Sequence, residues 1–162
     1  RGYVDIGFMG GAQIDQYGNL NSSFIGDADD PTIRLPGTGG GNDIASLTQL
    51  IVAMVHEKRR FVEKVDFVTS TGFWRGGSSR EESGLITGGP AGVVTDLAIL
   101  GFDEGTKRMK VQGLQAGVTR AQVQERTGFE LLFDAEIETL KPPTHEELTI
   151  LREFDPDRIY ID

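Results

Sequence analysis

The sequence predicts an α/β domain, and three observations carry that prediction. Leu50–Val55 (LIVAMV) is a continuous apolar run of strand length, the kind that a sheet buried on both faces requires. Further strand-length apolar segments are separated by turn signals such as Tyr17-Gly18-Asn19 and Asp103-Glu104-Gly105-Thr106. Two helix starts are marked by caps: Thr119, and Thr144 with Glu147 three residues on. No linker divides the 162 residues, so the expectation is one domain over 1–162, rich in strands and ending in a helical tail.

In chain order, Tyr3–Gln13 reads as a strand and Leu20–Ile25 as a second, with an acidic loop over Asp27–Pro31. Ile33–Leu35 leads into a glycine loop, after which Asn42 or Asp43 caps a short helix over Ile44–Thr48. Leu50–Val55 follows as a strand, and Phe61–Thr69 alternates enough to suggest a bent one. Thr71–Pro90 holds two glycine pairs and many polar residues, and reads as a long loop of the functional or mobile kind. Val93–Phe102 is a strand, and Lys107–Leu114 returns from its hairpin turn. A helix runs from Thr119 to about Arg126 with Gly128 as its stop, then a short strand over Phe129–Phe133. Lys141-Pro142-Pro143 marks a boundary before the last helix, His145–Phe154.

Composition excludes several classes of function. Hydrophobic residues are 38% and charged residues 25%, as in an ordinary globular protein. The net charge of −9 disfavours nucleic acid and anionic membrane surfaces as partners. With no cysteine there is no disulfide, thiolate nucleophile or Cys-ligated zinc; this fits a reducing compartment, and the cytoplasm is the expected location. The two histidines are isolated in sequence, and His56-Glu57 lacks the second histidine of a zinc helix, so no metal is expected. The chain begins at Arg1 without a Met and turns apolar by Tyr3–Met9, as a cut chain would. A strand there is expected to expose an edge that seeks pairing.

Glycine is abundant, 22 of 162 residues, and clustered. Pro36-Gly37-Thr38-Gly39-Gly40-Gly41-Asn42-Asp43 is the strongest local feature. Its amides form a candidate anion nest ahead of a helix, against the plainer alternative of a ligand-free turn. It is neither a Walker loop, which needs Lys-Ser/Thr where Asn42-Asp43 stand, nor a dinucleotide fingerprint, which needs a small residue at Asn42. Glu57-Lys58-Arg59-Arg60 reads as a solvated strand end, with phosphate contact as the sharper alternative. His56 reads as structural, Glu81-Glu82 as a solvated loop, and Trp74 as a lid, an interface anchor or a packed side chain.

Three segments, in order, resemble the β subunits of family I coenzyme A transferases, the glutaconate CoA-transferase type above all. They are Gly10–Asn21 (GGAQIDQYGNLN), Pro36–Ser46 (PGTGGGNDIAS) and Val118–Phe129 (VTRAQVQERTGF). The resemblance implies an open mixed sheet flanked by helices, the CoA-transferase (NagB/RpiA-like) fold. It implies an α-type partner subunit and a higher oligomer, with CoA thioesters and a carboxylic acid as substrates and no permanently bound cofactor. The implied chemistry is ping-pong: a glutamate takes acyl and then CoA as covalent adducts, and amides stabilise the oxyanion. Gly39, Gly40 and Gly41 would then line the acyl and CoA pocket, with Gly40 the oxyanion amide. The family's nucleophilic glutamate lies in a Glu-x-Gly motif upstream of the segment with which this chain opens. Glu82-Ser83-Gly84 has the letters but the wrong place in the order. The expectation is therefore a β-type domain lacking its N-terminal part. The alternatives are a CoA-thioester hydrolase or ring-opening subunit on the same scaffold, or a non-catalytic interaction module.

Overall fold

A computed structural model describes residues 3–159. Its frame is a six-stranded mixed sheet. β1 (Ile6–Met9) forms one edge, and β2 (Gln13–Ile14) pairs with β3 (Leu20–Asn21) as a small hairpin beside it. β4 (Phe24–Gly26) and β5 (Pro31–Arg34) make a second hairpin, and the glycine loop then enters α1 (Gly41–Leu47). β6 (Gln49–Ala53) returns parallel to β1. A long excursion carrying α2 (Ser79–Glu82) leads to β7 (Gly89–Val94), parallel to β6. β8 (Ala98–Phe102) and β9 (Met109–Leu114) continue antiparallel. After α3 (Arg120–Glu125), β10 (Leu132–Thr139) pairs parallel with β9 and closes the far edge, and α4 (His145–Phe154) ends the described chain. The order across the sheet is β1-β6-β7-β8-β9-β10.

The core lies on one side of this sheet. Paired residues share a face, so register places Gly7, Met9, Leu50, Val52, Val93, Leu100 and Val111 together. α1 lies over Gly7, where an added Cβ would meet Ile44 and Thr48. Ile14, Leu20, Phe61, Val123, Phe129 and Leu131 complete the cluster. Each of its larger side chains contributes about 1.5–3 kcal/mol by leaving water. The other face is open at the β1 end: Ile6 is 49% exposed and Phe8 70%, with Ala53 and Val94 exposed beside them. The LIVAMV run is thus buried on one face rather than two, as Ala53 and Val55 show by their exposure.

Several boundaries differ from the sequence reading. Val93–Phe102 is two strands, because the Thr95 hydroxyl accepts the Leu97 and Ala98 amides (3.1 and 2.9 Å) and turns the chain. Phe61–Thr69 forms no strand. Only isolated bridges, Ile14 to Phe61 and Leu20 to Ser70, tie its ends down. Tyr3–Gln13 and Leu20–Ile25 each split into two short strands. The short strand expected over Phe129–Phe133 begins later and extends to Thr139. α1 starts earlier than Asn42, with Gly40 as N-cap, a residue that has no side chain to cap with. Thr38 serves instead, its Oγ1 accepting the Asn42 amide at 3.0 Å. Gly128 is no left-handed stop; it is small because a Cβ there would lie 2.6 Å from the Phe61 carbonyl. Both threonine caps form full capping boxes, Thr119 with Gln122 and Thr144 with Glu147.

Candidate functional site

The glycine loop is held at both ends and open in the middle. Gly37 and Ser22 bond reciprocally: the Gly37 amide to the Ser22 carbonyl (2.8 Å) and the Ser22 hydroxyl to the Gly37 carbonyl (3.0 Å). The Gly41 amide closes a turn onto the Thr38 carbonyl at 2.7 Å. Gly37 and Gly39 have φ of 88° and 48°, left-handed values that suit glycine. Gly41 is buried, and a Cβ on it would press on Met9 and come 3.3 Å from the Ser70 hydroxyl. That hydroxyl is itself buried without a partner among the described residues. Gly39 and Gly40 are exposed, and a Cβ at either would meet nothing within 4 Å. Of the three predicted site glycines, two therefore present their backbone to open space and the third anchors the loop to β1.

The polar letters of the first motif are cross-links. The Asp15 carboxylate accepts the Tyr17 and Asn19 amides and the Asn19 side chain. Asn19, 1% exposed, then reaches across the chain, donating to the Trp74 carbonyl (2.8 Å) and accepting the Gly72 amide (2.9 Å). Gln13 binds Asp66 in both directions, and Asn21 ties Gln13 to the Phe24 carbonyl. Burial pushes the Asp15 carboxyl above its usual range, against the lowering effect of those donors. Gly72 is needed where it stands, since a Cβ would run into the backbone of Tyr17 and Gly18. These bonds press residues 66–74 onto the 13–21 turn, and Ser70 in that same segment lies beneath Gly41.

The remaining candidates separate. His56 is fully buried, stacked on Phe61 at 4.0 Å and bonded to the Thr95 and Thr127 hydroxyls. Burial lowers its pKa to about 4, with Arg126 also lowering and Asp96 opposing, so it is neutral and structural. Glu57 pairs with Arg59 and Arg60 at the surface. Glu81 and Glu82 are exposed on α2, away from any cluster of acids. Trp74 is half-buried at φ 56°, a strained value for a non-glycine residue, and Arg75 lies over its ring at 5.5 Å. It rims a cleft of about 750 Å³ with Asp15, Tyr17, Lys64 and Val68; none of Gly39, Gly40 and Gly41 lines that cleft. Among the described residues no group of three or more His, Asp or Glu gathers as metal ligands, and no helix is long and apolar enough to cross a membrane. Sequence reasoning missed Ser22 and Arg80, whose contacts reach across loops with no local signature. It also passed over Thr38, whose bond to Asn42 is local and could have been read from a Thr placed just before a helix.

Fold and loop together define the class: the chain belongs to the coenzyme A transferase family, whose model matches residues 1–126. It is 45% identical to the β subunit of the glutaconate CoA-transferase of Acidaminococcus fermentans over 96% of this chain and 59% of that protein. It is 40% identical to the β subunit of the 3-oxoadipate CoA-transferase of Pseudomonas knackmussii over 95% of this chain and 60% of that one. The solved glutaconate coenzyme A-transferase of A. fermentans superposes with a TM-score of 0.92 at 44% identity, over 97% of this chain and 61% of the other. The chain thus spans about 60% of the length of these relatives.

Proposed function

We propose that this chain is the greater part of the β subunit of a CoA transferase, moving CoA between an acyl-CoA and a dicarboxylic acid such as glutaconate. The observation that carries this reading is the 45% identity to a glutaconate CoA-transferase β subunit over nearly the whole chain. In this reading residues 1–162 are one β-type domain, and the nucleophilic glutamate belongs to a segment outside them. That glutamate attacks the thioester carbonyl and CoA thiolate leaves. The thiolate then attacks the glutamyl carbonyl of the mixed anhydride, giving the glutamyl thioester and releasing the donor carboxylate. The acceptor carboxylate runs the two steps in reverse to leave as its CoA thioester. The exposed Gly39 and Gly40 line the acyl pocket with Gly41 behind them, and the Gly40 amide stabilises the oxyanion. CoA is substrate, not resident cofactor. The uncovered apolar face around Phe8 and Val94 supports an α-type partner subunit and a higher oligomer, and the reading places the assembly in the cytoplasm.

The test is a coupled assay with glutaconyl-CoA or glutaryl-CoA and acetate. The isolated chain should show no transfer, and the intact subunit with its partner should show it. Gly40→Val in that assembly should lower turnover by roughly 10²–10³-fold. Folding should survive, since the new side chain starts in open space at a φ of −88°. Wild-type turnover in the folded variant would remove Gly40 from the mechanism, and transfer by the isolated chain would relocate the nucleophile, with Glu82 the first residue to replace.

A further inference from the structure

Arg80 sits on α2 in the long excursion, only 4% exposed, and makes no ion pair among the described residues. Its guanidinium is instead surrounded by backbone carbonyls in two groups. Nη1 donates to Thr71 (2.9 Å) and Gly72 (2.7 Å). Nη2 donates to Ala45 (3.1 Å), Ser46 (3.5 Å) and Thr87 (2.8 Å). Nε is buried beside Gly89, where a Cβ would come within 3.2 Å of it. A buried cation without a counter-charge is costly, so a set of carbonyls converging on it is a built feature.

Two of those carbonyls identify what it holds. Ala45 and Ser46 lie in the last turn of α1, where a helix leaves its carbonyls without intrahelical partners. The Ser46 carbonyl also accepts the Thr87 hydroxyl at 3.2 Å, so the Ala45 carbonyl is the one that leans most on Arg80. α1 has no basic residue of its own in that turn. A cation there satisfies the orphan carbonyls and complements the helix dipole. The other pair, Thr71 and Gly72, adjoins Ser70, which lies under Gly41 at the opposite end of the same helix. One planar fork therefore grips the C-terminus of α1 and the segment that supports its N-terminus.

We propose that Arg80 is a positioning residue for the glycine loop: it fixes α1, and through α1 the backbone of Gly39–Gly41. Its catalytic consequence rests on the reading of that loop as the acyl and oxyanion pocket. Lysine keeps the charge, but its single nitrogen cannot span both carbonyl groups.

The experiment uses Arg80→Lys and Arg80→Gln in the intact subunit with its partner, read by amide hydrogen exchange and by steady-state kinetics. Peptides covering 38–48 should exchange about ten-fold faster while those covering 98–114 keep their protection. Turnover should fall by roughly 10²-fold with KM for the CoA thioester little changed, as for a misplaced catalytic group. Unchanged exchange in 38–48 overturns the proposal. So does a uniform loss of protection across both regions, or a failure to fold, because Arg80 then supports the whole domain. So does faster local exchange with wild-type turnover. If the wild-type assembly shows no transfer at all, the functional reading fails, while the exchange comparison still decides whether Arg80 holds α1.

Discussion

Asn19→Ala should be among the more damaging single substitutions in this chain, although it removes no apolar contact area to speak of. Asn19 is 1% exposed and joins three partners at once: the Asp15 carboxylate, the Trp74 carbonyl and the Gly72 amide. The two neutral bonds are each worth about 1 kcal/mol and the bond to the carboxylate about 2 kcal/mol. Together these give an expected loss of about 4 kcal/mol, and since alanine leaves a buried carboxylate and a buried amide short of partners, nothing in the variant recovers it. That is a large share of the ~5–15 kcal/mol by which a domain is stable. Urea unfolding at pH 7, followed by Trp74 fluorescence and by far-UV circular dichroism, measures it, and a domain of this size should lose roughly 8–16 °C in Tm. Asn19→Asp sharpens the test. It sets a second carboxylate against Asp15, whose pKa burial already raises. The two then share a proton most readily at low pH, so this variant's deficit should shrink as pH falls from 7 towards 5. A loss below about 1 kcal/mol for Asn19→Ala would refute the reasoning, and would mean that the remaining ties, Gln13 with Asp66 and the Leu20–Ser70 bridge among them, hold the two loops without it.

Other expectations can be checked independently. His56, with a folded pKa of about 4 against an ordinary 6.5, contributes fully above pH 6.5 and loses its contribution as pH falls towards 4. The unfolded chain takes up a proton that the folded one refuses, worth about 3 kcal/mol. Its imidazole resonances should stay at their neutral positions down to about pH 4, and a midpoint near 6.5 would contradict its burial. Gly72→Ala should leave little folded protein, because its Cβ would clash with backbone atoms of Tyr17 and Gly18; normal expression and Tm would contradict that approach. Thr38→Val should fray the start of α1 by about 1 kcal/mol through loss of the bond to Asn42, with little global effect. Exchange at Asn42 and Asp43 reads it directly.

Local rules made part of this structure legible. Thr144 and Glu147 placed α4 to the residue, and Thr119 placed α3, because a capping box acts over three residues. The glycine loop and the buried strand after it were equally visible, since each is a contiguous signal. The Thr95 turn was hidden because Thr95-Asp96 is only a two-residue polar break in an otherwise apolar run. Phe61–Thr69 misled because its buried residues, Phe61, Val65 and Thr69, recur every fourth position rather than every second, and its ends are held by single bridges rather than a ladder. For the candidate site, sequence order pointed to Gly39–Gly41 as the candidates, but not to what packs around them. Ser22, Ser70 and Arg80 act over 15 to 35 residues of separation, and no periodicity records such contacts.

The open side of the sheet sorts substitutions by parity. Along β1 and β6, alternate side chains answer to different demands. Gly7, Met9, Leu50 and Val52 are closed in by α1 and the loops, so changing them disturbs this chain's own folding. Ile6, Phe8, Gln49 and Ala53 look outward, so a polar replacement there leaves the unfolding curve of the isolated chain nearly still and registers only where something else lies against that face. Adjacent codons in a single strand thus report on separate properties, and a scan scored by thermal stability alone would pass over every second one.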